Sequence, residues 1–247
     1  SIRILNILCL DIGNTSITYC EVTEDIKSLN RLPKSLDAID FFESYDISNI
    51  DQVVVSSVVP NLSEQMTDIF KSKNLDVFEV SFNNCEINLM VQNPSEVGND
   101  RICNVAAANK ICGGGCIVVD FGTATTYDVT NEDGAFIGGA IAPGIDVSAD
   151  NLISKASLLR ETVYQFPSSV IGDDTTSNIQ SGVMFSGLHS VVGMINQITQ
   201  EMKFLNPRII LTGGFGNLIS DKLDIDHVYN ETLTIEGMID IYKRCNK

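Results

Sequence analysis

The chain is poor in base. Its 247 residues carry 16 lysines and arginines against 32 aspartates and glutamates, a formal net charge of −16. That balance argues against nucleic acids and anionic membranes as partners, since both require a positive face. No apolar run approaches the roughly 20 residues of a membrane-spanning helix. Ile2–Leu10 is apolar but runs directly into an aspartate turn. It lacks the basic start and cleavage site of a signal peptide, so it reads as a strand and the chain as cytoplasmic. Seven cysteines occur without a CxxC pair; Cys112 and Cys116 flank three glycines, with no histidine or second cysteine pair nearby to complete a zinc site. They read as reduced, mostly buried thiols. Only two histidines are present, His189 and His227, and both read as structural. Neither GxxxxGK(S/T) nor GxGxxG occurs, which sets aside the Walker and Rossmann phosphate loops.

What is present is an ordinary core-forming composition, 44% hydrophobic and 19% charged, enough for one large domain or two small ones. The chain is organised around Ile117–Thr126, where an apolar β-branched run ends in Asp120, turns at Gly122 and continues with Thr123, Thr125 and Thr126. The run predicts a buried strand. Acid, glycine and hydroxyls at a strand end suit a phosphate and its counter-cation. Ile7–Thr15 repeats this grammar around Asp11 and Gly13, and Arg208–Gly216 runs from an apolar strand into a glycine-rich turn. Three such junctions can serve one nucleotide from two halves of a molecule. With so acidic a chain, phosphate binding must rest on local donors: backbone N–H groups, hydroxyls, an arginine and metal cations.

Taken in order, Ile4–Asp11 predicts a strand, and Ser16–Val22 alternates and pairs back on it across Gly13 and Asn14. Leu32–Tyr45 reads as a helix, Val53–Val55 as a buried strand, and a helix through Lys71 is capped by Asn61 or Ser63. Asp76–Val80 reads as a strand. A loop at Asn93–Gly98 leads into a helix over Asn99–Ile111, which Gly113–Gly115 ends. After the central strand, Thr125–Thr130 and Ala135–Ile141 form successive hairpin partners; helices follow over Asp146–Glu161 and from Asp174 to about Phe204. Strand, glycine turn, strand therefore occurs twice. The expected halves are 1–112 and 113–247.

A duplicated strand-turn-strand unit with helices fits an α/β chain of the ribonuclease-H-like, actin-like ATPase fold, two similar halves with a nucleotide cleft between them. The chain resembles the type III pantothenate kinases over nearly its whole length. The resemblance is carried by Asp11–Thr15, Asn93-Pro94 with Gly98–Arg101, Val119–Gly144, Asp174-Thr175 with Gln180–Gly182, and Thr212–Gly214. It implies ATP-dependent phosphorylation of pantothenate, the first step of coenzyme A synthesis, with a divalent metal such as Mg2+, a monovalent cation (K+ or NH4+) and a homodimer.

By that resemblance Asp100 would be the general base, and Gly98, Asn99, Asp100, Arg101 and Thr175 would bind pantothenate, with Arg101 on its carboxylate. Asp11, Ile12, Gly13, Asn14, Thr15, Ser16, Ile17 and Thr18, together with Thr123, would hold ATP, and Asp120 the monovalent cation. Gly213, Gly214 and Gly216 would approach the adenosine. Spacing alone leaves plainer readings open: Asp100 as a first-turn helix acid, Thr175 as a helix cap, Arg101 in a surface ion pair, Asp120 as a turn residue. Two positions depart from the family pattern: Asn99 stands where alanine is usual, and Val91 where tyrosine is. A non-catalytic accessory relative of the same fold, and a kinase of another small hydroxy-acid, are the alternative functions.

Overall fold

The computed structural model describes residues 4–34, 37–155, 163–203 and 206–246. It divides into two compact units, Ser1–Ile111 with Thr232–Lys247, and Cys112–Glu231.

The first unit is built on β1 (Ile7–Ile12). It pairs antiparallel with β2 (Ser16–Val22) and parallel with β4 (Gln52–Ser57), and the sheet is completed by β3 (Asn30–Pro33) and β5 (Val77–Glu79) in the order β3-β2-β1-β4-β5. Because side chains alternate along a strand, β1 feeds two cores. Ile7 and Cys9 pack against α3 (Asn99–Cys112) and α7 (Leu233–Cys245). Leu8, Leu10 and Ile12 face Phe42 of α1 (Asp37–Glu43) and Met66 and Phe70 of α2 (Pro60–Ser72). Covering on both faces is why the strand reads as a continuous apolar run.

The second unit repeats the plan. Its central strand β6 (Cys116–Phe121) pairs antiparallel with β7 (Ala124–Thr130) and parallel with β9 (Arg208–Gly213). With β8 (Phe136–Pro143) and β10 (Val228–Tyr229) the order is β8-β7-β6-β9-β10, the same arrangement as in the first unit. Ile117, Val119 and Phe121 pack against Met184, Leu188, Val191 and Ile195 of the long helix α5 (Thr175–Met202). Asp174 and Ser177 form its capping box, as an acid ahead of Thr175 leads one to expect. The remaining helices are α4 (Ile145–Lys155) and the short α6 (Gly216–Ser220). Among the described residues no helix is long and apolar enough to cross a membrane.

Both expected hairpins form. Three details differ from the sequence reading. Leu32 and Pro33 lie in edge strand β3, paired with Ile17 and Ser16, rather than in a helix; Pro33, which lacks an N–H, is tolerated there. Helix α2 starts at Pro60 with Val59 at its cap and no side-chain cap bond, so neither Asn61 nor Ser63 serves. Proline fits the first helical turn, where its missing N–H costs nothing. Thr232–Lys247 groups with the first unit, because α7 carries Ile235, Met238 and Ile241 into its core. The predicted Asp146–Glu161 helix is seen as α4, and its part over 156–161 lies outside the described residues, as do Leu36 and Phe204.

Candidate active site

In the first unit the site residues meet at the C-terminal ends of the parallel strands β1 and β4 and the start of α3. Asp11 is the penultimate residue of β1, in register with Ser56 of β4 and Thr18 of β2. Ser56 Oγ donates to Asp11 Oδ1 at 2.9 Å. The Cys103 side chain interacts with Ser56 as well. Cys103 is fully buried, and burial first, then the charges of Asp11 and Asp100, push its pKa well up. One thiol therefore lies within the fields of both carboxylates.

Asp100 opens α3. Burial of its carboxyl is the largest influence on it and raises its pKa; the Arg101 backbone N–H, at 2.8 Å from Oδ1, and the Arg101 charge work against that rise. A carboxyl held partly in the neutral direction by desolvation is suited to accepting a proton. Gly98 leaves room for it, since a β-carbon there would lie 2.5 Å from Asp100 Oδ1 and 3.4 Å from Val58 Cγ1. Asn99, where the family pattern has alanine, donates through Nδ2 to the Ser57 carbonyl at 3.0 Å and ties α3 to the end of β4. Asn99→Ala is expected to cost about 1 kcal/mol in a denaturation titration, one net hydrogen bond; an unchanged midpoint would show that the tie carries no weight.

The first turn is tight. Gly13 N–H donates to Ser16 O at 2.9 Å, and a β-carbon on Gly13 would sit 3.1 Å from that same oxygen. Its N–H thus closes the turn, while Asn14 and Thr15 are exposed at the tip. Ile12 and Ile17 are fully buried, so their side chains serve the core and only their main chain can meet a ligand. Arg31, on β3 opposite Thr18, donates from Nε to Ser16 Oγ at 2.7 Å. This places a cation beside the turn, which the sequence reading overlooked because nothing near Arg31 resembles a motif. Ser56 and Ser57 carry a signal of their own in the sequence, two hydroxyls closing an apolar strand.

In the second unit Asp120 occupies the equivalent place, penultimate in β6 and in register with Thr126 of β7 and Thr212 of β9. The acid with a hydroxyl on either side is thus duplicated, Asp11 between Thr18 and Ser56, Asp120 between Thr126 and Thr212. Glycines close on this turn. Gly213 has φ 86°, and a β-carbon there would lie 2.5 Å from Asp120 Oδ1. A β-carbon on Gly144 would lie 2.6 Å from the carbonyls of Gly122 and Thr123. Thr123 sits at the tip, its carbonyl accepting from Gly144 N–H at 3.0 Å. Thr175, exposed at the start of α5, instead lines a cavity of about 640 Å³ between α4 and α5, with Ile145, Ala149 and Ile179. Asp11, Gly98, Asn99, Asp100 and Arg101 are brought together in one unit; Asp120, Thr123 and Thr175 belong to the other.

Among the described residues no group of three or more His, Cys, Asp or Glu forms a metal cluster. Asp11 and Asp120 each present one carboxylate beside hydroxyls, an all-oxygen donor set that fits a hard cation borne mainly by phosphate and water.

A family profile described as type III pantothenate kinase matches residues 7–199. The chain is 32% identical to a type III pantothenate kinase of Agathobacter rectalis, with 98% of each chain covered. It is 37% identical to one from Sulfurihydrogenibium sp., over 94% of this chain and 97% of the relative. Among solved structures, a Baf family protein of Campylobacter jejuni has a TM-score of 0.63 at 22% identity, covering 96% of this chain and 98% of its own. MreB 5 of Spiroplasma citri has a TM-score of 0.56 at 11% identity, covering 99% and 98%. These likenesses bear out the duplicated, actin-like α/β fold. With the profile spanning most of the chain and relatives above 30% identity over nearly all of it, the chain belongs to the type III pantothenate kinase family.

Proposed function

We propose that the chain transfers the γ-phosphoryl group of ATP to the primary hydroxyl of pantothenate, giving 4'-phosphopantothenate for coenzyme A synthesis. The observation that carries this reading is the desolvated Asp100 carboxyl, packed against Gly98, beside Arg101 and close enough to Asp11 for both to act on Cys103. Phosphoryl transfer asks little covalent chemistry of a protein; positioning and charge neutralisation dominate.

Asp100 accepts the hydroxyl proton as the phosphoryl group moves. Arg101 pairs with the pantothenate carboxylate, for which its planar fork is suited, and Gly98, Asn99 and Thr175 complete the substrate contacts. The turn Asp11–Thr18 and Thr123 hold ATP through backbone N–H groups and hydroxyls, with Arg31 adding positive charge. Asp11 would hold a divalent cation such as Mg2+ and Asp120 a monovalent one, K+ or NH4+. Their chemistry is to neutralise the phosphates. The chain works in the cytoplasm as a homodimer; in keeping with the latter, Ile141 of β8 and Leu152 of α4 are 66% and 50% exposed.

The test is ADP release with pantothenate, with other small hydroxy-acids, and without acceptor. Turnover confined to pantothenate supports the proposal; turnover only on another hydroxy-acid redirects it, and none at all points to an accessory role. Arg31→Ala is expected to raise the KM for ATP about fivefold at little change in kcat, the loss of about 1 kcal/mol of charge-assisted binding. An unaltered KM would remove Arg31 from the ATP site.

A further inference from the structure

One side-chain pair takes no part in this chemistry. Cys112 is the last residue of α3 and Cys116 the first of β6. Gly113, Gly114 and Gly115 between them have φ of 78°, 126° and 62°, three consecutive values that side chains rarely adopt. The turn is pinned, not slack: Gly115 N–H donates to Asn131 O at 2.7 Å, and Arg208 N–H donates to Gly115 O at 3.2 Å. A β-carbon on Gly114 would collide with the Glu132 carbonyl. The result is that the two cysteine side chains are hydrogen-bonded to each other. Cys116 is buried and oriented by Thr130, whose hydroxyl donates to Sγ at 3.3 Å and accepts the Cys116 backbone N–H at 3.1 Å. Cys112 is partly exposed, with the Arg208 side chain hydrogen-bonded to it.

We propose that Cys112 and Cys116 are a thiol–disulfide couple, with Cys112 the attacking and Cys116 the resolving sulfur, oxidised by low-molecular-weight disulfides. The Cys112 thiolate attacks one sulfur of the disulfide. That S–S bond breaks, a mixed disulfide forms on Cys112, and the departing thiolate takes up the proton given up by Cys116. The Cys116 sulfur then attacks the Cys112 sulfur and expels the second small thiol. Two protein thiols are oxidised and one small disulfide is reduced to two thiols. The charge environment supports these roles. The Cys116 hydrogen bond above all, then Arg208, bring the Cys112 pKa down to about 7 against the opposing effect of burial, while the same hydrogen bond and burial push Cys116 up. Cys9 and Cys20 also pair, across β1 and β2, but both are sealed in the core. Cys245 is exposed, yet its pKa is raised, so it is an internal control.

The full chain is incubated at pH 7 with oxidised glutathione, quenched by alkylation and mapped by peptide mass. The expected product is a Cys112–Cys116 disulfide, two hydrogens lighter and reversed by dithiothreitol. Against a thiol at the ordinary value of 9.0, Cys112 has about fiftyfold more thiolate at pH 7 and its lower basicity gives back about tenfold, so it should react at least about fivefold faster than Cys245, whose pKa is raised above that value. Cys116→Ser should stop at a glutathione adduct on Cys112, and Cys112→Ser should leave Cys116 unmodified. A persistent adduct on Cys112 of the natural chain, faster reaction at Cys245, or an unreacted pair would each overturn the proposal.

Discussion

Asp100→Asn is expected to lower kcat between about a hundredfold and ten-thousandfold, the range for losing a positioned proton acceptor, while the protein stays at least as stable as before. The substitution keeps the shape that Gly98 accommodates and removes only the capacity to take a proton. The stability follows from the raised pKa of Asp100. A carboxyl whose pKa is raised by folding favours the folded state most below its unfolded value, and that advantage is lost as pH rises through the folded value. At pH 7 to 8 the ionised group is therefore a net cost, which asparagine removes. Melting curves at pH 4 and pH 8 should show the variant gaining on the natural chain as pH rises. The acid limb of the natural chain's rate profile should lie above the ordinary aspartate value of 3.8. A variant that keeps more than about a tenth of its turnover would exclude Asp100 as the base.

The second large effect is on stability. Gly237 of α7 meets the backbone of Cys103 in α3 so closely that a β-carbon there would fall well inside the van der Waals shell of the Cys103 carbonyl and α-carbon. A side chain could rotate aside, but a helix backbone cannot. Gly237→Ala must push the two helices apart, at a cost of about 3 kcal/mol or more. For a chain of this size that is roughly a 10 °C fall in Tm. Asp100 and Arg101 ride on the first turn of α3, so the KM for pantothenate should rise as well. Gly193→Ala is the matched control: nothing lies within 4 Å of its β-carbon position on α5, and alanine should be neutral or stabilising by up to about 1 kcal/mol. If the two variants melt alike, the close approach of α3 and α7 is not what holds the first unit.

These two residues show where a sequence is legible. The acid-glycine turns could be read because both central strands are buried on two faces, which leaves an uninterrupted apolar run ending at the carboxylate. Asp100 beside Arg101 could be named only through family likeness, since a first-turn acid is ordinary; its raised pKa depends on burial that no spacing encodes. The partner of Gly237 could not be read at all. Periodicity gives α7 an apolar face but does not say which sheet receives it, and the chain returns to the first unit after 120 residues in the second. Leu32 and Pro33 looked helical because an edge strand of four residues is too short for alternation to stand out. Arg31 and Ser56 acquire their roles only through cross-strand register, a non-local property.

That return of the C-terminal segment bears on how the polypeptide matures during translation. Residues up to Ile111 leave the ribosome before the second unit does, yet their core lacks Ile235, Met238 and Ile241 until the segment after Glu231 has emerged. The segment Cys112–Glu231, contiguous in sequence, has all its strands available earlier. Of the two units, the one translated later is thus the one able to fold first, and the apolar face of β1 and α3 must wait, a natural substrate for chaperones, until α7 closes over it.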